Sequence, residues 1–256
     1  MTLFRLTLAL ALTVPASVPL AAQGGGGGGG GNGLPDKFEN LKVLPKDIAQ
    51  RALVDTMRSF ALGLGVRCTY CHVGEEGKPF STYDFKSDTL RTKRTARVMF
   101  QMVQDLNSKY LTQVPGRPEP PVIVRCETCH HGQARPRSLQ DVLGETLARA
   151  GVDSAIQKYR DLRTQYYGSF TYDFRENVLN GFASRLTAQA QGDAALRVLQ
   201  LNGEFFPASA QVHALMADAY VQKGDKPTAI EHLRKAIEMA PDNPQLKRRL
   251  DDLNRQ

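Results

Sequence analysis

The sequence lacks the features of several common protein classes. Beyond the first 22 residues, no stretch is apolar enough to cross a membrane. Tryptophan is absent, but hydrophobic residues make up an ordinary 41% of the chain, so the composition does not indicate global disorder. Cysteine is scarce, with four residues in two pairs of identical spacing: Cys68 and Cys71, then Cys126 and Cys129.

The N-terminus has the pattern of an export signal. One positive charge, Arg5, precedes the apolar stretch 6–22, which ends in small residues. Because Pro15 and Pro19 make this stretch a poor membrane span, we expect a signal peptide over residues 1–22, cleaved near Ala22, with an uncleaved anchor as the alternative. No cysteine follows the cleavage site, which argues against a lipoprotein. The prediction places the mature protein in the periplasm of a Gram-negative bacterium.

Composition divides the rest of the chain into a linker and two folded units. Eight consecutive glycines, Gly24–Gly31, have no side chains to bury, so residues 23–34 are predicted to be a flexible linker. The first folded unit is predicted over residues 35–136. The second is predicted over residues 137–256.

Helical patterns and loops alternate in the first unit. Leu53, Met57 and Phe60 share one face of a helix predicted over residues 47–62, with Gly63 and Gly65 at its end. Residues 73–88 are predicted as a loop. A second helix, basic in its first turns, is predicted over residues 89–111, and a proline-rich loop follows over residues 113–121.

The second unit is helical and repetitive. Residues 210–243 follow the 34-residue tetratricopeptide pattern, residues 176–209 follow it less closely, and a weaker copy covers residues 139–166. Residues 244–255 have the charged, amphipathic pattern of a capping helix. We expect a short helical solenoid that binds a protein or peptide, or that only lengthens the domain or assembles with itself. His213 and His232 lie inside its helices, where a structural role is expected.

Each cysteine pair is followed at once by a histidine, giving the motifs Cys68-Thr69-Tyr70-Cys71-His72 and Cys126-Glu127-Thr128-Cys129-His130. With five histidines in the chain, this placement would arise by chance roughly once in two thousand sequences. In this spacing the two thiols add to the vinyl groups of one haem, and the histidine reaches the iron. The sequence therefore predicts two covalently attached haems c.

Three other interpretations use the same cysteines. A four-cysteine zinc site and a pair of disulfides both leave the two histidines unexplained. A thioredoxin-like site would need alternating strands and helices around the motifs, which the sequence does not show. The export signal favours haem, since c-type attachment takes place outside the cytoplasm.

Methionines on the preceding helices are candidates for the sixth iron ligand. Met57 lies on the apolar face of the first helix, and Met99 and Met102 lie on the second. Methionine ligation raises the reduction potential and suits an electron carrier. Core packing is the alternative role. The pattern alone favours Met57 as a ligand and leaves the choice between Met99 and Met102 open.

Four segments resemble the tetrahaem cytochrome subunit of bacterial photosynthetic reaction centres. They are LKVLPKD (41–47), DTMRSFALGLGVRCTYCH (55–72), KRTARVMFQMVQDLNSKYL (93–111) and CETCHHG (126–132). In that family each repeat consists of a helix with the axial methionine, a turn and CxxCH. The resemblance implies His72 and Met57 as ligands of the first iron, and His130 and Met99 as ligands of the second, with Met102 as the fallback.

The chain also departs from that family pattern. It has two haem motifs instead of four, and it has His131 where the family commonly has arginine. His131 cannot bind the same iron as its neighbour, so a propionate or surface role is expected. The tetratricopeptide-like tail is a further difference, so the resemblance does not imply a role in photosynthesis.

These observations predict a mostly α protein, in which a small dihaem cytochrome domain precedes the helical solenoid. The expected function is one-electron transfer between redox partner proteins, without enzymatic activity. A dihaem peroxidase or a haem-based sensor is the alternative if one iron has an open sixth position. The formal charge of +7 falls to roughly +3 with four haem propionates, so no nucleic-acid partner is expected. Membrane association is expected only through an uncleaved signal or a membrane partner.

Overall fold

A computed structural model describes residues 33–35 and 37–255 of the chain. Most of these residues are helical and none forms a strand, although one antiparallel bridge joins Val73 and Asp84. The predicted mostly α fold class is therefore confirmed. The predicted signal peptide and nearly all of the predicted glycine-rich linker lie outside the described residues. No helix in the described ranges is long and apolar enough to cross a bilayer.

The first part of the chain contains the helices α1 (Gln50–Leu64), α2 (Arg91–Asp105) and α3 (Cys126–His130). Gly65 ends α1 with a left-handed φ of 63°, as its glycine predicts. Gly63 does not end the helix but lies inside it, buried against α3. A Cβ at Gly63 would stand 3.1 Å from the Cβ of Cys126, so the glycine allows the two helices to approach closely.

The second helix is shorter than predicted. After Asp105 the backbone widens into a π-helical turn over Leu106–Tyr110, and a 3₁₀ turn follows over Leu111–Gln113. The side chain of Asn107 lies in the wide turn, where it accepts from the Val124 amide at 2.9 Å and donates to the Val124 carbonyl at 2.8 Å. The turn thus connects the end of α2 to the segment that leads into α3.

The second part of the chain is a series of consecutive helices: α4 (Leu139–Tyr166), α5 (Glu176–Ala188), α6 (Gly192–Phe205), α7 (Ala210–Gln222), α8 (Lys226–Met239) and α9 (Pro244–Arg255). Gly151 interrupts α4 with φ 82° and ψ 174°. The windows 176–209 and 210–243, predicted from the repeat pattern, each contain two helices that pack against each other.

The buried core lies in this second part. One cluster, which includes Tyr159, Leu179 and Leu199, joins α4 to α7, and another around Leu233 joins α7 to α9. In the described residues before Leu139, Leu53 is the only apolar side chain that is buried. The apolar residues of the first part surround a cavity instead.

Candidate haem sites

The cavity in the first part has a volume of about 310 Å³, which lies within the range of roughly 300–1,000 Å³ for small-molecule and cofactor sites. Met57 lines it from α1. Cys68, Cys71 and His72 line it from the first CxxCH motif, whose cysteines flank a short 3₁₀ turn. The structure therefore brings together the four residues predicted for the first haem.

Aliphatic and aromatic side chains form most of the cavity wall. Phe60 of α1 packs on Phe100 of α2 with ring centroids 5.3 Å apart, and Phe85 lies edge-on to the ring of His72 at 4.9 Å. Besides Met57, the apolar residues that line the cavity are Leu34, Pro35, Phe38, Leu41, Val43, Leu44, Leu53, Val54, Phe60, Ala61, Leu64, Val66, Phe80, Phe85, Ala96 and Phe100. This lining suits a large apolar ring.

His72 is held in a state suited to metal binding. Its Nδ1 is buried and finds no hydrogen-bond partner among the described residues. Burial lowers the pKa of His72 to about 4, and the nearby positive charges of Lys93 and Arg97 add to the effect. The imidazole is therefore neutral at neutral pH, the form in which histidine coordinates a metal.

Positive charge surrounds the cavity. Its lining residues include a single acid, Glu39, and seven basic side chains: Lys37, Lys42, Arg58, Arg67, Lys86, Lys93 and Arg97. This excess of positive charge would balance the two carboxylates that a haem carries.

Asp88 forms ion pairs with three of these basic residues, Lys42, Arg97 and Lys93. Its carboxylate lies 2.7 Å from Lys42 Nζ and 2.8 Å from an Arg97 nitrogen, and it accepts a hydrogen bond from Asn40 at 2.9 Å. The hydrogen bonds from Arg97 and then Lys42 hold the pKa of Asp88 far below its usual range. The carboxylate thereby ties the segment 40–42 to α2 beside the cavity.

All four cysteines are free thiols, the form that haem attachment requires. Burial raises the pKa of Cys71 and of Cys126. Within the described residues, no three His, Cys, Asp or Glu side chains come together as a metal-ligand group. The two cysteine pairs thus do not converge, and the geometry gives the four-cysteine zinc alternative no support.

The second CxxCH motif forms α3, beside an open, polar cleft of about 400 Å³. His130 is buried, and its Nδ1 lies 2.8 Å from the carbonyl oxygen of Gln133. Cys129 and His130 line the cleft, whereas Cys126 packs against Gly63 of α1.

The methionines predicted for the second iron lie on α2, and neither Met99 nor Met102 lines this cleft. Met99 is half-buried, and Met102 is 43% exposed. Other large apolar side chains are also exposed in this part of the chain: Leu62, Val98, Val122 and Ile123.

Backbone contacts join the end of α1 to the turn after the second motif. The amide of Gly132, two residues after the second motif, donates to the carbonyl of Gly63 in α1 at 3.0 Å. A Cβ on Gly65 would overlap the carbonyl of Gly132. The helix that carries Met57 and the turn that follows His130 are therefore in direct contact.

Sequence reasoning did not identify the contact between the second motif and the loop before α5. Thr171 and Tyr172 of this loop bind His131 and Gln133, about 40 positions earlier in the chain. Neither residue belongs to a motif, so no local pattern could have indicated the contact. His131 itself is exposed, with a left-handed φ of 49°.

Comparison with known sequences gives one family. The sequence model of the photosynthetic reaction centre cytochrome C subunit matches residues 11–216, which is most of the chain. The match includes both CxxCH motifs and continues into α7, so it extends well beyond the segments 41–132 that carry the resemblance. No curated protein sequence matches the chain.

Proposed function

Because the chain belongs to the photosynthetic reaction centre cytochrome C subunit family, a family of c-type cytochromes in electron transfer, we propose that it is an exported dihaem electron carrier. In this proposal each CxxCH motif binds one haem c. Electrons pass singly between redox partner proteins outside the cytoplasm. The function needs no substrate turnover.

One observation carries the proposal: Met57, Cys68, Cys71 and His72 line a single apolar cavity with a basic surround. Two thiols for attachment, a neutral imidazole and a thioether are the protein groups that a six-coordinate haem c uses. These four residues come from separate parts of the chain. An apolar core of ordinary packing would not need to bring them together around a cavity.

The residues of the first site have distinct roles in this proposal. Cys68 and Cys71 would attach the porphyrin, and His72 and Met57 would ligate the iron. The apolar lining would exclude water, and the basic side chains around the cavity, Lys93 and Arg97 among them, would offset the propionate charge. When bound, haem supplies the one-electron redox chemistry, while these residues set its potential by ligation, burial and charge.

For the second haem, we propose attachment at Cys126 and Cys129 with His130 as the proximal ligand. The Nδ1 of His130 is engaged with the Gln133 carbonyl, which leaves Nε2 available for iron. Leu62, Val98 and Ile123 are exposed in the same part of the chain and would be removed from water if a bound porphyrin covered them. Met99 is the proposed sixth ligand and Met102 the fallback.

The remaining parts of the proposal concern location and partners. The signal-like segment 1–22 supports export to the periplasm, where c-type haem is attached. The helical pairs of the second part support docking of a protein or peptide, because stacked helical repeats offer extended binding surfaces.

The test is visible absorption of the exported protein, purified after expression with a working haem-attachment system. We expect about two haems per chain by the pyridine haemochrome assay, a charge-transfer band of methionine–iron ligation, and no response of the reduced protein to carbon monoxide. A variant without residues 1–22 is the control, and it is expected to remain in the cytoplasm without covalent haem.

Two other results of the absorption experiment would contradict the proposal. A chain without a Soret band under these conditions contradicts the haem assignment. Covalent haem that binds carbon monoxide has an open iron position, which replaces the electron carrier by a peroxidase or sensor.

A further inference from the structure

The second haem motif ends in a tight turn that holds its histidine. The amide of Gln133 donates to the carbonyl of His130 at 2.8 Å, across His131 and Gly132, which both have left-handed φ angles of 49° and 76°. The carbonyl of Gln133 lies 2.8 Å from Nδ1 of His130. Since a carbonyl only accepts, Nδ1 carries the proton and the lone pair stays on Nε2.

The side chain of Gln133 is in turn held by the loop between α4 and α5. Tyr172 Oη donates to Gln133 Oε1 at 2.8 Å, and Gln133 Nε2 donates to the carbonyl of Thr171 at 3.4 Å. Thr171 Oγ1 donates to the carbonyl of His131 at 3.0 Å. Three hydrogen bonds therefore connect this loop to the turn around the histidine.

The loop is itself well supported. The ring of Tyr172 packs edge-on against Tyr166 at 5.4 Å and against Phe174 at 6.2 Å. Phe174 is 6% exposed and belongs to the core cluster of α4 to α7. The contact to the turn is thus anchored in the best-packed part of the molecule.

His72 and His130 differ in whether their Nδ1 has a hydrogen-bond partner. His72 Nδ1 has no hydrogen-bond partner among the described residues, and its ring is in contact with Phe85 instead. His130 has a carbonyl partner that is held from outside the motif. Only the second site therefore has a hydrogen-bonded outer support that can orient the imidazole.

We propose that Gln133, Thr171 and Tyr172 are positioning residues that let the second part of the chain set the reduction potential of the second haem. The inference rests on the proposed function, since it requires haem at Cys126 and Cys129. An Nδ1–H donated to a carbonyl makes the imidazole a stronger donor, which favours oxidised iron. When the support is loosened, the second haem becomes easier to reduce.

The experiment is a redox titration of the full dihaem protein and of two variants, Tyr172→Phe and Gln133→Ala. Tyr172→Phe removes one hydroxyl and keeps the ring packing. Gln133→Ala keeps the backbone carbonyl beside His130 but removes the side-chain amide that hydrogen-bonds to Tyr172 and Thr171. The control is Tyr166→Phe, from the same aromatic cluster, because the Tyr166 hydroxyl donates no hydrogen bond to any described residue. A Met57→His variant identifies the first haem, since its potential alone should fall.

We expect the reduction equilibrium of the second haem to shift about three- to tenfold towards the reduced form in both variants. A tenfold shift of a one-electron couple corresponds to about 59 mV. The first haem and the Tyr166→Phe control should be unchanged, and the haem count should stay at two.

Three other results would overturn the inference, and they differ in what they imply for the proposed function. Two attached haems with unchanged potentials overturn the inference and leave the proposed function intact. Equal shifts at both haems also overturn it, because they indicate general loosening of the fold. A wild-type chain without covalent haem overturns the proposed function and the inference together.

Discussion

The two parts of the molecule bury their apolar side chains in different ways. The helices of residues 139–255 bury their side chains against one another, and residues such as Leu199 and Ala229 are fully enclosed. In the described residues up to 136, Leu53 is the only buried apolar side chain, and the others surround a cavity or are exposed. Protein interiors are normally close-packed, so the first part is incomplete as a polypeptide alone.

The difference indicates which part depends on a prosthetic group. A region whose apolar residues face a common cavity gains its core when the cavity is filled, as small metal-dependent domains gain theirs from the metal. A region with a closed core folds independently of any ligand. Four sets of variants test this contrast.

The largest effect is expected from removal of the first attachment site. In the double variant Cys68→Ala/Cys71→Ala, the haem count should fall from two to one. The first part should then lose its ordered packing, while the helices of the second part remain. Haemochrome assay and thermal unfolding followed by circular dichroism would measure both effects. A variant that keeps both haems, or that unfolds in all parts together, would contradict the contrast.

A substitution in the core of the second part should affect that part alone. Leu199→Ala should lower the free energy of unfolding of the helices α4–α9 by about 2–5 kcal/mol, because Leu199 is fully buried and its truncation leaves a cavity. Val221→Ala is the control, since Val221 is 45% exposed. Denaturant unfolding and the Soret spectrum should show loss of stability without loss of haem. Loss of the first haem in Leu199→Ala would show that the two parts fold as one.

A smaller effect is expected from substitution of Met57, the proposed methionine ligand in the cavity. Met57→His should keep the haem but lower the potential of the first haem by something on the order of 100 mV, since histidine ligation gives lower potentials than methionine ligation. Met102→His is the matched comparison on α2 and should leave the first haem unchanged. Redox titration and the methionine–iron band report the result. An unchanged band in Met57→His would exclude Met57 as a ligand.

The smallest effect concerns a histidine pair in the second part. Nδ1 of His213 lies 3.0 Å from Nδ1 of His232, and the rings stack. Burial lowers the pKa of both. The charge of His213 and then Lys235 add to this at His232, where Glu231 opposes it, and Lys235 adds to it at His213. Their folded pKa values lie below the unfolded value of about 6.5, so the unfolded chain takes up protons first as the pH falls.

Stability of the second part should therefore be complete above about pH 6.5 and decrease as the pH falls below it. Thermal unfolding between about pH 7.5 and 5.5 measures the trend. The double variant His213→Asn/His232→Asn should show a flatter dependence. The same slope in the variant would assign the effect to other groups.

Local patterns in the sequence predict much of this structure, and contacts between distant residues account for the rest. The CxxCH motifs, the helix around Met57 and the helical windows 176–209 and 210–243 depend on neighbouring residues, so spacing alone indicates them. Gly63 lies inside α1 because it meets Cys126, a contact that no local pattern contains. The end of α2 depends in the same way on Asn107 binding Val124.

The candidate sites show the same division. The four candidate residues of the first site could be predicted because the first CxxCH motif follows directly on the helix that carries Met57. The cavity itself, the hydrogen bonds of Asp88 and the support of Gln133 by Tyr172 join residues far apart in sequence. Met99 and Met102 lie three positions apart on α2, so helical spacing assigns both to the same side of one helix.

The glycine contact between α1 and the turn after α3 has a consequence for electron flow. Electron tunnelling decays exponentially with distance, so its rate between two haems depends on how firmly their separation is held. Here the main chain at Gly63 and Gly65 meets the main chain at Gly132 without intervening side chains. In the dihaem protein we propose, this backbone contact would fix the helix of Met57 against the turn after His130, so surface substitutions would leave the spacing of the two sites unchanged.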